Sequence, residues 1–242
     1  IKRCPTEAIR VRDGSARIIP ERCIDCGECI RVCPYHAKKA VTDSLDTIKN
    51  YSYKIALPAP SLYGQFGPNY SRERIVLALK QFGFDYVFEV ARAAEIVTNA
   101  SENYMKSKNI KKPVISSACP AVVRFIQIRF PNLIDNLLKI ESPMEVAAAL
   151  SKQEVHEKFG IPIEKMGVFF ISPCAAKVTS IKAPYENIKS NVDVVLSIKD
   201  IYLPLLDIMK KQREITKEPF SLSSAIGVAW ASSGGESGAI KE

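Results

Sequence analysis

The sequence predicts an α/β chain of mainly parallel sheets with crossover helices, preceded by a small loop-rich domain. Three observations carry this. Five of the seven cysteines crowd into the first 33 residues. After Ala40, short apolar runs alternate with stretches of helical periodicity. Apolar residues make up 47% of the chain, enough for a substantial core. The apolar runs are short and interrupted, none near the roughly 20 residues of a spanning helix, and the N-terminus has no apolar signal region. A cytoplasmic protein without a membrane span is expected. The formal net charge is +8, but the basic residues are dispersed along helices. The one dense patch, Lys106 to Lys112, reads as a solvated turn, so no nucleic-acid partner is expected.

The elements follow in order. Lys54–Pro58 (KIALP) reads as a first strand. Ser71 can cap a helix running to about Phe82, closed by Gly83. Tyr86–Val90 (YVFEV) is a second strand, followed by a helix from about Ala91. Pro113–Ser117 (PVISS) is a third, followed by a helix over Val122–Phe130 that stops at Pro131. Ser142-Pro143-Met144-Glu145 reads as a capping box with proline at the first helical position, opening a helix that ends at Gly160. Met166–Ile171 and Asp193–Leu196 are further strands, and Ser197 can cap a helix over Asp200–Lys211. Strands separated by helices imply parallel pairing through right-handed crossovers.

Cys23, Cys26, Cys29 and Cys33-Pro34 form a C-x2-C-x2-C-x3-C-P run. Two-residue spacers let three thiolates wrap one cubane, while the fourth cysteine, held by the following proline, serves a neighbouring cluster. A zinc site would more often show two C-x2-C pairs divided by a longer loop. Cys4-Pro5 reads as the last cysteine of an earlier, truncated copy. One [4Fe–4S] cluster is therefore assigned to Cys4, Cys23, Cys26 and Cys29, and Cys33 to a second whose other ligands lie upstream of residue 1. The segment Cys4-Pro5-Thr6-Glu7-Ala8-Ile9 resembles bacterial two-cluster ferredoxins, so 1–42 is expected to be the C-terminal part of such a module and 43–242 a separate domain.

Two further cysteines follow apolar strand patterns: Cys119 in Ser116-Ser117-Ala118-Cys119-Pro120, and Cys174 in Ser172-Pro173-Cys174-Ala175-Ala176-Lys177. Ligands of open α/β sheets bind beyond the carboxyl ends of strands, so both thiols could face one cleft. They could equally be two inert, buried cysteines. Ser116–Pro120 followed by Val123-Arg124 and Phe130-Pro131 resembles the first active-site motif of FeFe-hydrogenases, and Ser172–Lys177 their second. Lys54–Ser61, Phe82–Val90 and the later Ser232-Ser233-Gly234-Gly235-Glu236 are similar to other stretches of that family's domain.

The resemblance implies a hydrogenase-like H-cluster domain: a cubane held by four cysteines and linked to a diiron unit carrying CO and cyanide. It makes Cys119 and Cys174 cubane ligands and Lys177 the lysine that hydrogen-bonds a cyanide. The family's third motif is expected beyond residue 242. Three positions depart from the pattern. Ala118 stands where catalytic members carry a proton-relaying cysteine, and a methyl group cannot transfer a proton. Ser172 replaces a methionine, and Leu138 falls where a serine of the proton path is usual. The departures resemble the sensory branch, which implies a protein that binds H2, turns over weakly and reports to a downstream signalling domain or redox partner. The alternatives are a turnover hydrogenase with another proton route, a non-catalytic electron-transfer module, and an iron–sulfur assembly factor.

Overall fold

A computed structural model of the chain describes residues 2–107, 110–183, 189–212 and 223–240. Lys108 and Asn109, within the basic stretch read as a turn, lie outside the described residues, as do Lys241 and Glu242. In chain order the strands are β1 (Ile9–Arg12), β2 (Ser15–Ile18), β3 (Tyr53–Pro58), β4 (Tyr86–Val87), β5 (Met166–Ser172) and β6 (Val194–Ser197). The helices are α1 (Glu28–Arg31), α2 (Arg72–Phe82), α3 (Val90–Met105), α4 (Pro120–Arg129), α5 (Pro143–Phe159), α6 (Ala175–Lys182), α7 (Ile198–Lys211), α8 (Ala225–Ala229) and α9 (Gly235–Ala239). These fall into two compact units, one of residues 1–41, 107–140 and 174–188, the other of 42–106, 141–173 and 189–242.

The larger unit is built on a four-stranded, wholly parallel sheet in the order β4-β3-β5-β6. Every residue of β5 is buried, as a central strand covered on both faces requires. Phe169 and Ile171 point one way and join Ala56, Leu196, Ile75 and Leu79 of α2, and Ile201 and Leu205 of α7. Val168 and Phe170 point the other way and are as deeply buried. Burying a side chain of this size stabilises by about 1.5–3 kcal/mol. Three aspartates accept amides at strand starts: Asp85 from Lys54 at 2.7 Å, Asp193 from Val168 at 2.9 Å and Asp43 from Val195 at 2.8 Å.

Local signals explain most helix ends. Ser71 Oγ accepts the Arg74 amide at 3.3 Å, and Gly83 closes α2 with φ 122. Ser197 Oγ accepts the Lys199 amide at 3.1 Å, though α7 begins at Ile198, before the expected Asp200. Three expectations are corrected. The second strand is only Tyr86–Val87, because Val90 already opens α3 with Glu89 as its N-cap. Ser142 is the N-cap of α5 with proline at the first turn, but its side chain makes no capping bond. Glu145 is drawn away instead, accepting from Ser190 Oγ at 2.6 Å and the Asn191 amide at 2.8 Å.

The third correction lies in the smaller unit. Pro113–Ser117 is not a strand of the parallel sheet. Ile115 makes a single parallel bridge to Leu137, donating its amide to Asn136 O at 2.9 Å and accepting that of Leu138 at 2.8 Å. Pro113 has no amide to donate, and its carbonyl accepts instead from Asn136 Nδ2 at 2.7 Å, so the segment pairs with the 136–138 stretch and not with the sheet. The same unit carries the β1–β2 antiparallel hairpin. Its turn is Asp13-Gly14, both at positive φ (50 and 72), the combination that a two-residue hairpin matched to strand twist demands. No helix among the described residues is long and apolar enough to cross a membrane.

Candidate iron–sulfur sites

The cysteine loop follows the hairpin. Asp25 (φ 52) and Gly27 (φ 74) flank Cys26 at positive φ, so the chain reverses tightly on both sides of that thiol. Gly27 is also the N-cap of α1, which carries Cys29. As a result Cys4, Cys23, Cys26 and Cys29 all line one cavity of about 350 Å³, closed on another side by Val178, Thr179 and Lys182 of α6. Cys33 is not part of that wall.

The donor set suits a cubane better than a single ion. Among the described residues no three Cys, His, Asp or Glu side chains converge on one ion. Tetrahedral zinc would need sulfurs about 3.8 Å apart, given its ~2.3 Å bonds. A [4Fe–4S] cubane is held by four cysteine thiolates, and four cysteines line this cavity.

Cys4 and Cys33 share one local geometry. The Ala8 amide donates to Cys4 Sγ at 3.2 Å, and the Ala37 amide to Cys33 Sγ at 3.5 Å. The Glu7 amide donates to Cys4 O at 3.2 Å, and the His36 amide to Cys33 O at 3.1 Å. Glu7 (φ 54) and His36 (φ 48) occupy the same left-handed step three residues after each cysteine. Amides aimed at sulfur favour the thiolate. Burial raises the Cys4 thiol, but the Thr6 hydroxyl and the amides of Thr6, Ala8 and Ile9 outweigh it and hold it below the usual thiol value. The Ala37 and Tyr35 amides lower Cys33 likewise. Burial, then the Asp25 carboxylate beside it, pushes Cys23 up, and burial with the neighbouring Cys26 does the same for Cys29.

Cys119 and Cys174 occupy equivalent places, each the N-cap of a helix, α4 and α6 respectively. Cys119 is exposed and Cys174 half-buried. Cys174 follows β5 as expected, whereas Cys119 follows the bridged segment and not a sheet strand. Lys177, in the first turn of α6, donates from Nζ to the Ala118 carbonyl at 3.2 Å, adjoining Cys119. Leu138 and Ser172 are both buried.

Sequence reasoning missed Asp25 and Arg124 as a pair. Arg124 of α4 reaches back to the cysteine loop, with Nη1 3.3 Å from Asp25 Oδ2 and Nη2 2.9 Å from Pro20 O. Asp25 Oδ1 in turn accepts from Cys23 Sγ at 3.5 Å. The position of Asp25 between Cys23 and Cys26 was the only available signal.

Residues 16–39 match the 4Fe-4S binding domain, and residues 52–242 match the C-terminal domain of the iron only hydrogenase large subunit. Among curated proteins, the chain is 26% identical over 201 residues to the NADP-reducing hydrogenase subunit HndD of Solidesulfovibrio fructosivorans, covering 74% of this chain and 34% of that one. It is 25% identical over 206 residues to iron hydrogenase 1 of Clostridium pasteurianum, covering 75% and 36%. It is also 21% identical over 244 residues to the cytosolic Fe-S cluster assembly factor NAR1 of Meyerozyma guilliermondii, covering 91% and 46%. The chain thus spans about a third to a half of the length of these relatives. A solved [FeFe]-hydrogenase HydA1 from Chlamydomonas reinhardtii shares the fold, with TM-score 0.52 and 19% identity over 69% of this chain and 44% of that one. The match over residues 16–39 makes a [4Fe–4S] cluster a cofactor of this chain. With the parallel α/β unit, the four-cysteine cavity and a match over residues 52–242, the chain belongs to the iron-only hydrogenase family, as a member carrying the C-terminal domain of its large subunit.

Proposed function

We propose that this chain is the electron-entry and cubane-binding part of a hydrogen-sensing FeFe-hydrogenase-type protein with weak turnover. Residues 1–42 act as the ferredoxin-type segment and 43–242 as the H-cluster domain. Cys4, Cys23, Cys26 and Cys29 hold one cubane. Cys33, which repeats the local geometry of Cys4, serves a second. Cys119 and Cys174 supply two thiolates to the H-cluster cubane, and Lys177 offers an ammonium donor beside them; H2 is the ligand and a signalling domain or redox partner the recipient. When bound, the H-cluster supplies the hydrogen chemistry, while the protein contributes orientation and proton delivery.

The observation that carries the reading is Ala118. Its carbonyl is held by Lys177 and its neighbour is Cys119, yet its side chain has no proton to give. Loss of a positioned acid–base group costs about 10²–10⁴-fold in rate. The test is the matured full-length protein assayed for hydrogen evolution beside Ala118→Cys. Slow turnover, partly raised by the thiol, is expected; turnover equal to that of a catalytic relative without substitution would overturn the reading.

A second reading, a role in iron–sulfur assembly, is favoured by the match to NAR1 over 91% of the chain. It predicts that maturation adds no diiron unit. Infrared bands of bound CO and cyanide separate the two, since only the hydrogenase reading expects them.

A further inference from the structure

The cysteine loop and the first-motif helix are joined by one ion pair. Arg124 Nη1 stands 3.3 Å from Asp25 Oδ2, and the guanidinium is pinned by a second bond to Pro20 O. Asp25 is held at φ 52 between Cys23 and Cys26. Its other oxygen accepts the Cys23 thiol proton at 3.5 Å. Ligation removes that proton. The sulfur then has nothing to donate, and a carboxylate is left against an anionic thiolate–iron centre. Arg124 is the cation that offsets it. Both side chains are about a third exposed, 37% for Arg124 and 30% for Asp25, so solvent screens part of the charge but not all.

We infer that the Asp25–Arg124 pair sets the reduction potential of the cubane held by Cys4, Cys23, Cys26 and Cys29, and couples that potential to α4, whose N-cap is Cys119. The inference rests on the ligand assignment proposed above. Arg124 is a positioning residue: it touches no iron ligand and acts through Asp25. A shift of α4 that loosens the pair leaves the carboxylate uncompensated and makes the cluster harder to reduce.

The test uses the full-length protein, reconstituted anaerobically with iron and sulfide. Dithionite supplies the one electron per cluster through mediators, followed by electron paramagnetic resonance. The signal belonging to this cluster is the one lost in Cys26→Ala. Arg124→Gln is expected to lower the reduced-to-oxidised ratio about tenfold at fixed potential, ~59 mV for one electron. Asp25→Asn is expected to raise it, and the double variant to return near the parent. Opposite shifts that cancel are the signature of charge; a displaced loop would not produce them. Shifts in one direction, or none, overturn the inference. Should Arg124→Gln lose its cluster, Asp25→Asn decides alone, and an unchanged or lowered potential overturns it. If Cys26→Ala removes no signal and no iron, the ligand assignment fails first and the inference with it.

Discussion

Lys177 Nζ donates to the Ala118 carbonyl at 3.2 Å and so joins the first turn of α6 to the residue preceding the N-cap of α4. Both helices begin at a cysteine, and the bond spans 59 residues of sequence. Lys177→Met keeps the stem and removes the donor. A charged hydrogen bond contributes about 1.5–3 kcal/mol, reduced here by partial exposure. A loss of about 1 kcal/mol in chemical denaturation of the metal-free chain is expected; a change within error would mean the bond does not hold the two helix starts together.

Iron stoichiometry tests the four-cysteine cavity. Reconstituted Cys26→Ala is expected to carry about four irons fewer than the parent. Cys33→Ala, whose thiol stands outside that cavity, is expected to leave those four in place. Equal iron in parent and Cys26→Ala would remove the assignment.

Gly227 in α8 packs so closely on the Ala91 carbonyl of α3 that an added Cβ would overlap it, whereas Gly64 has open space around it. Gly227→Ala is expected to cost about 1–3 kcal/mol through overpacking, read as a lower denaturation midpoint. Gly64→Ala is the control and should stay within about 0.5 kcal/mol of the parent.

Glu154 of α5 gives a pH signature. Burial opposes its charge, but Lys158, Tyr86 and Arg92 outweigh burial and hold its carboxyl below the ordinary 4.5. A depressed acid stabilises above its unfolded value and loses that contribution as the pH falls through the folded one. Glu154→Gln should therefore melt lower at neutral pH and converge on the parent below pH 4.5. Burial, with Glu154 beside it, pushes the Tyr86 hydroxyl up to about 12. Its contribution is complete below pH 10 and fades as the pH rises toward 12, so Tyr86→Phe should close on the parent there. Parallel melting curves across either range would show that these groups carry no such linkage.

Much of the fold was legible because its causes are local. The apolar runs at Tyr53–Pro58 and Met166–Ser172 are strands because nearly every side chain in them is buried. Ser71 and Ser197 cap helices because their hydroxyls reach amides two or three residues on. The spacing of Cys23, Cys26 and Cys29 already specified a tight loop, and all three line one cavity. Pro113–Ser117 misled because an apolar run carries no record of its partner. Only the packed chain pairs Ile115 with Leu137 and keeps it out of the sheet. Glu145 misled for a similar reason: a carboxylate suited to its own helix start is outcompeted by Ser190 and Asn191, 45 and 46 residues away.

By itself, then, the sequence determined where strands, helix starts and thiols occur, since propensity, capping and ligand spacing act within a few residues. Tertiary structure alone decided which of them meet. Arg124 and Asp25 are 99 residues apart in the chain, and Lys177 and Ala118 are 59. No periodicity or motif encodes such pairs, because the energy that joins them exists only once the intervening chain has folded and brought opposite charges, or a donor and a carbonyl, within about 3 Å.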